Sequence, residues 1–133
     1  MQKVRTLFVV DDDTDDRELF LEALSEIDSN IRCITAQNGE DALNQLNGEL
    51  SAQPDFIFLD LNMPRLNGKQ CLVEIKKIHR LSHVPVIIYS TSSALKDIEE
   101  TTRLGAAHFF TKPSSFEQLC AQLNSILSNN WQA

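Results

Sequence analysis

The sequence predicts an α/β fold: a doubly wound parallel sheet of five strands with helices on both faces. Five short runs rich in β-branched and aromatic residues recur along the chain, and segments of helical period separate them. The runs are also near-continuously apolar, as strands covered on both faces of a parallel sheet are.

The first run, residues 7–10 (LFVV), leads into a block of acids and then a helical segment. There Leu19, Phe20, Ala23, Leu24 and Ile27 share one face while Arg17, Glu22 and Glu26 point away. The second run is 31–34. Its helix, around 41–46, is weaker and follows the turn signal Asn38 then Gly39. The third run, 56–59, follows Pro54, and the helix after it carries Leu72, Ile75, Lys76 and Ile78. The fourth is 84–89, with Pro85 near its start, where a missing N–H is tolerated. Leu95, Ile98 and Leu104 mark the fourth helix, which Gly105 closes. The fifth run, 108–110, precedes the clearest helix, with Phe116, Leu119, Cys120, Leu123, Ile126 and Leu127 on one face. Right-handed crossovers wind five such β-α units into one sheet.

The 133 residues are expected to form one domain, 1–133. Only SNNWQA follows the fifth helix, so no output domain is expected. The net charge of −7 and a pI near 4.8 argue against broad binding to nucleic acid or an anionic membrane. Cys33, Cys71 and Cys120 are odd in number and widely spaced, matching neither a disulfide framework nor a zinc site. A reducing, cytoplasmic setting is therefore expected. The apolar stretch in MQKVRTLFVVDDD is too short for a signal peptide or a membrane span.

In open α/β sheets ligands bind beyond the carboxyl ends of the strands. Asp11, Asp12 and Asp13 follow the first strand; Asp60, Leu61, Asn62, Met63 and Pro64 follow the third. Ser90, Thr91 and Ser92 follow the fourth, and Thr111, Lys112 and Pro113 the fifth. Each piece has an ordinary reading. Residues 11–16 suit a helix N-terminus, with Asp13 or Thr14 as cap and Asp15, Asp16 and Glu18 favoured by the helix dipole. Asp60 and the MPRLNG stretch could form a turn, Lys112 a surface lysine and Ser90 a cap. Together they converge on one cleft. Each close pair of carboxylates there costs roughly 4 kcal/mol at an effective dielectric of 20. Raised pKa values, a cationic side chain or a bound divalent metal would relieve this. A hard, oxygen-seeking cation such as Mg²⁺ fits Asp11, Asp12 and Asp60 best. His79, His83 and His108 lack a metal-ligand pattern and are read as structural or solvated.

VVDDD, LDLNMPRLNG, VPVIIYSTSS and HFFTKP, in this order, resemble the signature of receiver domains of two-component response regulators. Ser90 lies 30 residues after Asp60, and Lys112 lies 22 after Ser90, close to that family's intervals. The resemblance implies a flavodoxin-like (βα)5 fold. It implies Asp60 as phospho-acceptor, and Asp11, Asp12, Asp60 and the Asn62 backbone carbonyl as ligands of Mg²⁺ or Mn²⁺. It further implies Ser90 as the switch hydroxyl, Phe109 as the switch aromatic (without the hydroxyl of the tyrosine often found there) and Lys112 as partner of a phosphoryl oxygen. The peptide bond between Lys112 and Pro113 matches one that is cis in the family.

The implied function is a stand-alone response regulator, similar to those paired with bacteriophytochrome-type kinases. It would take a phosphoryl group from a sensor histidine kinase or phosphotransfer protein, catalysing its own phosphorylation and slow autodephosphorylation rather than acting as a dedicated enzyme. Output would pass by phosphorylation-dependent protein contact or phosphorelay, through the surface of the fourth helix, fifth strand and fifth helix. Lys96, Glu99, Arg103, Phe109, Gln118 and Gln122 are the candidates there, and Trp131 is a candidate contact to a partner or a second copy, so a homodimer stays open. Two rivals remain. One is a receiver-like interaction module that is never phosphorylated. The other is an aspartyl phosphohydrolase of the haloacid-dehalogenase type, in which Asp11 would be the nucleophile, though Asp15 stands where that family wants Thr or Val.

Overall fold

The computed structural model describes residues 6–48, 53–63, 66–91 and 93–128. Pro64, Ser92 and Trp131 lie outside the described residues. Along the chain run β1 (Thr6–Val10), α1 (Thr14–Ile27), β2 (Arg32–Ala36), α2 (Gly39–Asn47), β3 (Phe56–Leu59) and α3 (Gly68–Lys76). A 3-10 turn at His79–Leu81 follows, then β4 (Val86–Ser90), α4 (Leu95–Arg103), β5 (His108–Thr111) and α5 (Phe116–Ser128). All four strand pairings are parallel, in the order β2-β1-β3-β4-β5. This is the flavodoxin-like doubly wound sheet that the sequence predicts. The order reverses between β1 and β3, so the crevice at their carboxyl ends is the natural ligand site.

The strands alternate their side chains between two cores. Phe8, Val10, Ile57, Leu59, Val86 and Ile88 pack beneath α2 and α3 against Ala42, Leu46, Cys71, Leu72 and Ile75. Leu7, Val9, Phe58, Ile87 and Tyr89 pack on the other face against Phe20, Ala23 and Leu24 of α1 and Leu119, Leu123 and Ile126 of α5. Full burial of each such side chain contributes about 1.5–3 kcal/mol. On the second face Phe20 meets Phe58 edge-on at 5.0 Å and Tyr89 at 5.6 Å, and Tyr89 meets Phe110 at 5.0 Å. Three strands and α1 thus share one aromatic layer. Burial on both faces holds for β1, β3 and β4, but the edge strands β2 and β5 each expose residues, Arg32 and His108 among them.

The boundaries shift where caps outweigh apolar pattern. Asn67 accepts from the Gln70 N–H while the Gln70 side chain accepts from the Asn67 N–H, so α3 begins at Gly68, before its first apolar marker. Asn38, a turn signal in the sequence, caps α2 by accepting from the Asp41 N–H. β2 runs two residues past its predicted end, because pairing with β1 continues to Ala36. Three residues expected on buried faces are exposed: Leu19 at 44%, Leu95 at 69% and Phe116 at the margin. In α4 the buried residue is instead Thr101, whose hydroxyl donates to the Asp97 carbonyl at 2.8 Å. The bond between Lys112 and Pro113 is trans, since no cis peptide bond occurs among the described residues; the trans preference at proline, about 0.5–1 kcal/mol, is not overcome here. Gly105 (φ 107°) ends α4 in a left-handed conformation that favours glycine. Among the described residues no helix is long and apolar enough to cross a membrane.

Gly68 sets how closely α3 approaches the carboxyl end of β3. Its N–H donates to the Leu61 carbonyl at 2.9 Å, and a Cβ there would collide with the backbone of Asp60 and Leu61. Gly68→Ala is therefore expected to cost about 1–3 kcal/mol in urea unfolding, as overpacking does. Unchanged stability would show that this backbone can yield.

Candidate functional site

Backbone hydrogen bonds fix the acids before any side chain acts. The Asp11 N–H donates to the Ala36 carbonyl at 3.1 Å, and the Asp60 N–H to the Val10 carbonyl at 3.0 Å. Asp11, at the end of β1, and Asp60, at the end of β3, are thereby tied to neighbouring strands across the switch point. Both are buried, Asp60 at 4% exposure, while Asp12 faces solvent. The three carboxylates each offer an oxygen within 4.8 Å of the others. Asp11 Oδ1 accepts from the Asp13 N–H at 3.0 Å, and Asp60 Oδ1 accepts from the Asn62 N–H at 3.3 Å. Of the residues expected as metal ligands, the structure brings these three carboxylates together, with exposed Asn62 two residues beyond Asp60.

Lys112 closes the cluster from β5. Its N–H donates to the Ser90 carbonyl at 2.7 Å, which anchors it to the end of β4. The side chain then turns back over the sheet and is 9% exposed. Its Nζ lies 2.8 Å from Asp16 Oδ2, 3.1 Å from Asp11 Oδ2 and 3.6 Å from Asp60 Oδ2. It also sits 4.8 Å above the centre of the Tyr89 ring. Ser90 is fully buried, two residues past Ile88, which pairs with Leu59. Phe109 is half-buried and packs toward the α2/α3 core.

Three contributors escape the sequence reading. Asp16 reads as a helix-dipole acid, yet it accepts the shortest bond from Lys112. Its position three residues beyond the Asp13 cap was the available signal, since a side chain there leans back toward the helix start. Arg17, expected to point away, donates from Nη1 to the Asp11 carbonyl at 2.6 Å. Tyr89 was part of an apolar run, and only the sheet places its ring under Lys112.

The electrostatics follow. Burial first, and then the neighbouring Asp11, push the Asp60 carboxyl up to about 7 against the opposing charge of Lys112. Burial alone would lower Lys112, but bonds and charges from Asp16, Asp11 and Asp60 outweigh it and hold the ammonium above the usual lysine range. One cation thus leaves Asp60 incompletely compensated. Clustered carboxylate oxygens, with Asp12 open to water, fit a hard divalent ion that keeps some of its waters.

A family model described as the response regulator receiver domain matches residues 7–124. Among solved structures, the phosphorylated cyanobacterial phytochrome response regulator RcpA superposes with a TM-score of 0.84 at 32% identity, covering 92% of this chain and 91% of that one. The response regulator Rcp1, in a Mn²⁺-bound form, gives 0.83 at 26% identity, covering 97% and 99%. Among curated proteins, a protein-glutamate methylesterase/protein-glutamine glutaminase of Methanococcoides burtonii is 32% identical over 127 residues, 94% of this chain and 34% of that protein. The chain spans about a third to a half of the length of the first curated relatives it matches.

The raised Asp60 pKa fixes the sign of a stability effect. Its folded value, about 7, exceeds the unfolded 3.8, so the native state binds the extra proton. Asp60 thus adds no penalty below pH 4, and stability falls as pH rises toward and through 7. In EDTA, Asp60→Asn is expected to be more stable than wild type by on the order of 2–4 kcal/mol at pH 8, with the gap closing toward pH 4. Urea titrations at several pH values check this. A gap that widens on acidification would mean Asp60 is stabilised as the anion.

Proposed function

The chain belongs to the response regulator receiver domain family of two-component signalling, and on that premise we propose that Asp60 accepts a phosphoryl group from the phosphohistidine of a sensor kinase or phosphotransfer protein. The observation that carries this reading is the single cleft in which buried Asp60 lies beside Asp11, Asp12 and Lys112. In the transfer, an Asp60 carboxylate oxygen attacks phosphorus in line with the imidazole nitrogen. An O–P bond forms, the N–P bond breaks, and the nitrogen leaves with the electron pair. The product is an acyl phosphate on Asp60, which water later removes.

The transition state is loose and metaphosphate-like, so catalysis is mostly positioning and charge stabilisation. The Asn62 N–H steadies the Asp60 carboxylate, leaving its other oxygen toward Lys112. Lys112 supplies positive charge where negative charge gathers. Mg²⁺ or Mn²⁺, held by Asp11, Asp12, Asp60 and the Asn62 carbonyl, would neutralise phosphoryl charge when bound. Ser90 then donates its hydroxyl to a phosphoryl oxygen, and Phe109 follows inward.

Repacking there would alter the surface of α4, β5 and α5. Lys96, Glu99, Arg103, Gln118 and Gln122 are exposed on it, which suits reading by a downstream protein. RcpA and the bacteriophytochrome response regulator AtBRR are covered over 91% and 98% of their lengths, which supports a stand-alone receiver, 1–133, of that kind. The cytoplasm, where such kinases present their phosphohistidine, is its proposed location.

Incubation with Mg²⁺ and a small acyl phosphate, followed by intact-mass measurement, tests this reading. Wild type is expected to gain one phosphate, EDTA to abolish the gain and Asp60→Asn to lack it. Absence of label on wild type across donors and divalent metals would favour an interaction module that is never phosphorylated. Label that survives Asp60→Asn but vanishes with Asp11→Asn would make Asp11 the nucleophile, as in a phosphohydrolase.

A further inference from the structure

The Lys112 ammonium has three hydrogens to give, and its partners are unequal. Asp16 Oδ2 takes the shortest bond at 2.8 Å and Asp11 Oδ2 a second at 3.1 Å, while Asp60 Oδ2 stands at 3.6 Å, beyond a good hydrogen bond. The lysine therefore rests toward α1 rather than on the acceptor. Asp16 is held there by its backbone, because its N–H donates to the Asp13 cap. Its side chain is 31% exposed, whereas that of Asp11 is buried. Water can replace Lys112 at Asp16 but not at Asp11, so the Asp16 contact is the one the lysine gives up most cheaply. A cavity of about 90 Å³ lined by Asp16, Tyr89, Lys112 and Ser115 lies on the Asp16 side of the lysine, where water can reach that carboxylate.

We propose that Asp16 is a positioning residue that holds Lys112 in reserve, so that a phosphoryl group on Asp60 must compete with the ion pair between Asp16 and Lys112. The inference rests on the phospho-acceptor reading and adds to it a residue that sets the balance between empty and occupied states. Asp16 touches neither the phosphoryl group nor a metal; it acts through Lys112. Its removal strengthens phosphoryl binding, the opposite of what loss of a binding residue does.

Beryllofluoride, a non-covalent phosphoryl mimic, titrated calorimetrically into the full chain at saturating Mg²⁺, tests this. Asp16→Asn is expected to bind it roughly 3- to 5-fold more tightly than wild type, as loss of a partly exposed competing ion pair allows. Asp16→Glu, which keeps the charge, is expected within about twofold of wild type. In the free protein, the NMR signal of the Lys112 ε-methylene in Asp16→Asn is expected to lie toward its position in the beryllofluoride complex. A residue that merely supports the helix would shift the melting temperature and move neither readout. Unchanged or weaker binding by Asp16→Asn, or failure of Glu to restore the wild-type affinity in a variant that melts as wild type does, would overturn the assignment of Asp16 alone. A wild type that neither binds beryllofluoride nor takes phosphate would bring down the phospho-acceptor reading, and this inference with it.

Discussion

Two buried carboxylates that cannot move apart govern this molecule. Asp11 and Asp60 end adjacent strands, and each is tied through its own N–H to a neighbouring strand's carbonyl. Separating them would mean breaking the sheet. Their repulsion, about 4 kcal/mol for a close pair at an effective dielectric of 20, has to be met by charge brought in from elsewhere. Lys112 arrives from the far end of the chain, and the aromatic layer of Phe20, Tyr89 and Phe110 gives it a floor. Asp60 still holds its proton more tightly than an ordinary carboxyl does. The site is therefore built short of positive charge, which a divalent ion or a cationic side chain can relieve.

Rigid and loosely held parts divide cleanly around that site. β1, β3 and β4 are buried throughout, and Gly68 lets α3 sit directly on the backbone that follows β3. By contrast α4 buries Thr101, leaves Leu95 exposed, and has no side-chain cap at its start. It is tied to α3 by Lys69, which reaches Asp97 at 2.7 Å and Glu100 at 2.8 Å. Partly exposed ion pairs of this kind contribute about 0–1 kcal/mol each. Among the described residues α4 thus rests on one buried residue, Thr101, and on partly exposed ion pairs.

Most of the fold was legible because parallel strands and their helices obey simple periods. The errors fell where a period says which residues are apolar but not which are covered. Leu19 and Phe116 lie on the apolar faces of α1 and α5, yet both line the small cavity beside Lys112 and stay exposed. Leu95 begins a helix whose buried residue comes further along, at Thr101, with Leu104 just past its end packed against the α2/α3 core. The start of α3 is set by a capping box rather than by an apolar residue, so the apolar period does not mark it.

Of the candidate site, the sequence by itself determined the acids after β1 and β3, the hydroxyl that ends β4 and the lysine after β5, though not Asp16, Arg17 or Tyr89, because in this topology polar residues at strand ends have few other places to go. Only the tertiary structure decided the pairing. Whether Lys112 rests on Asp60, Asp11 or Asp16 depends on differences below an ångström, fixed by the N-terminal turn of α1, the face of Tyr89 and the pull of β4 on the lysine backbone. Those constraints come from residues about a hundred positions apart, and electrostatic energy at such distances is too steep for spacing along a chain to resolve.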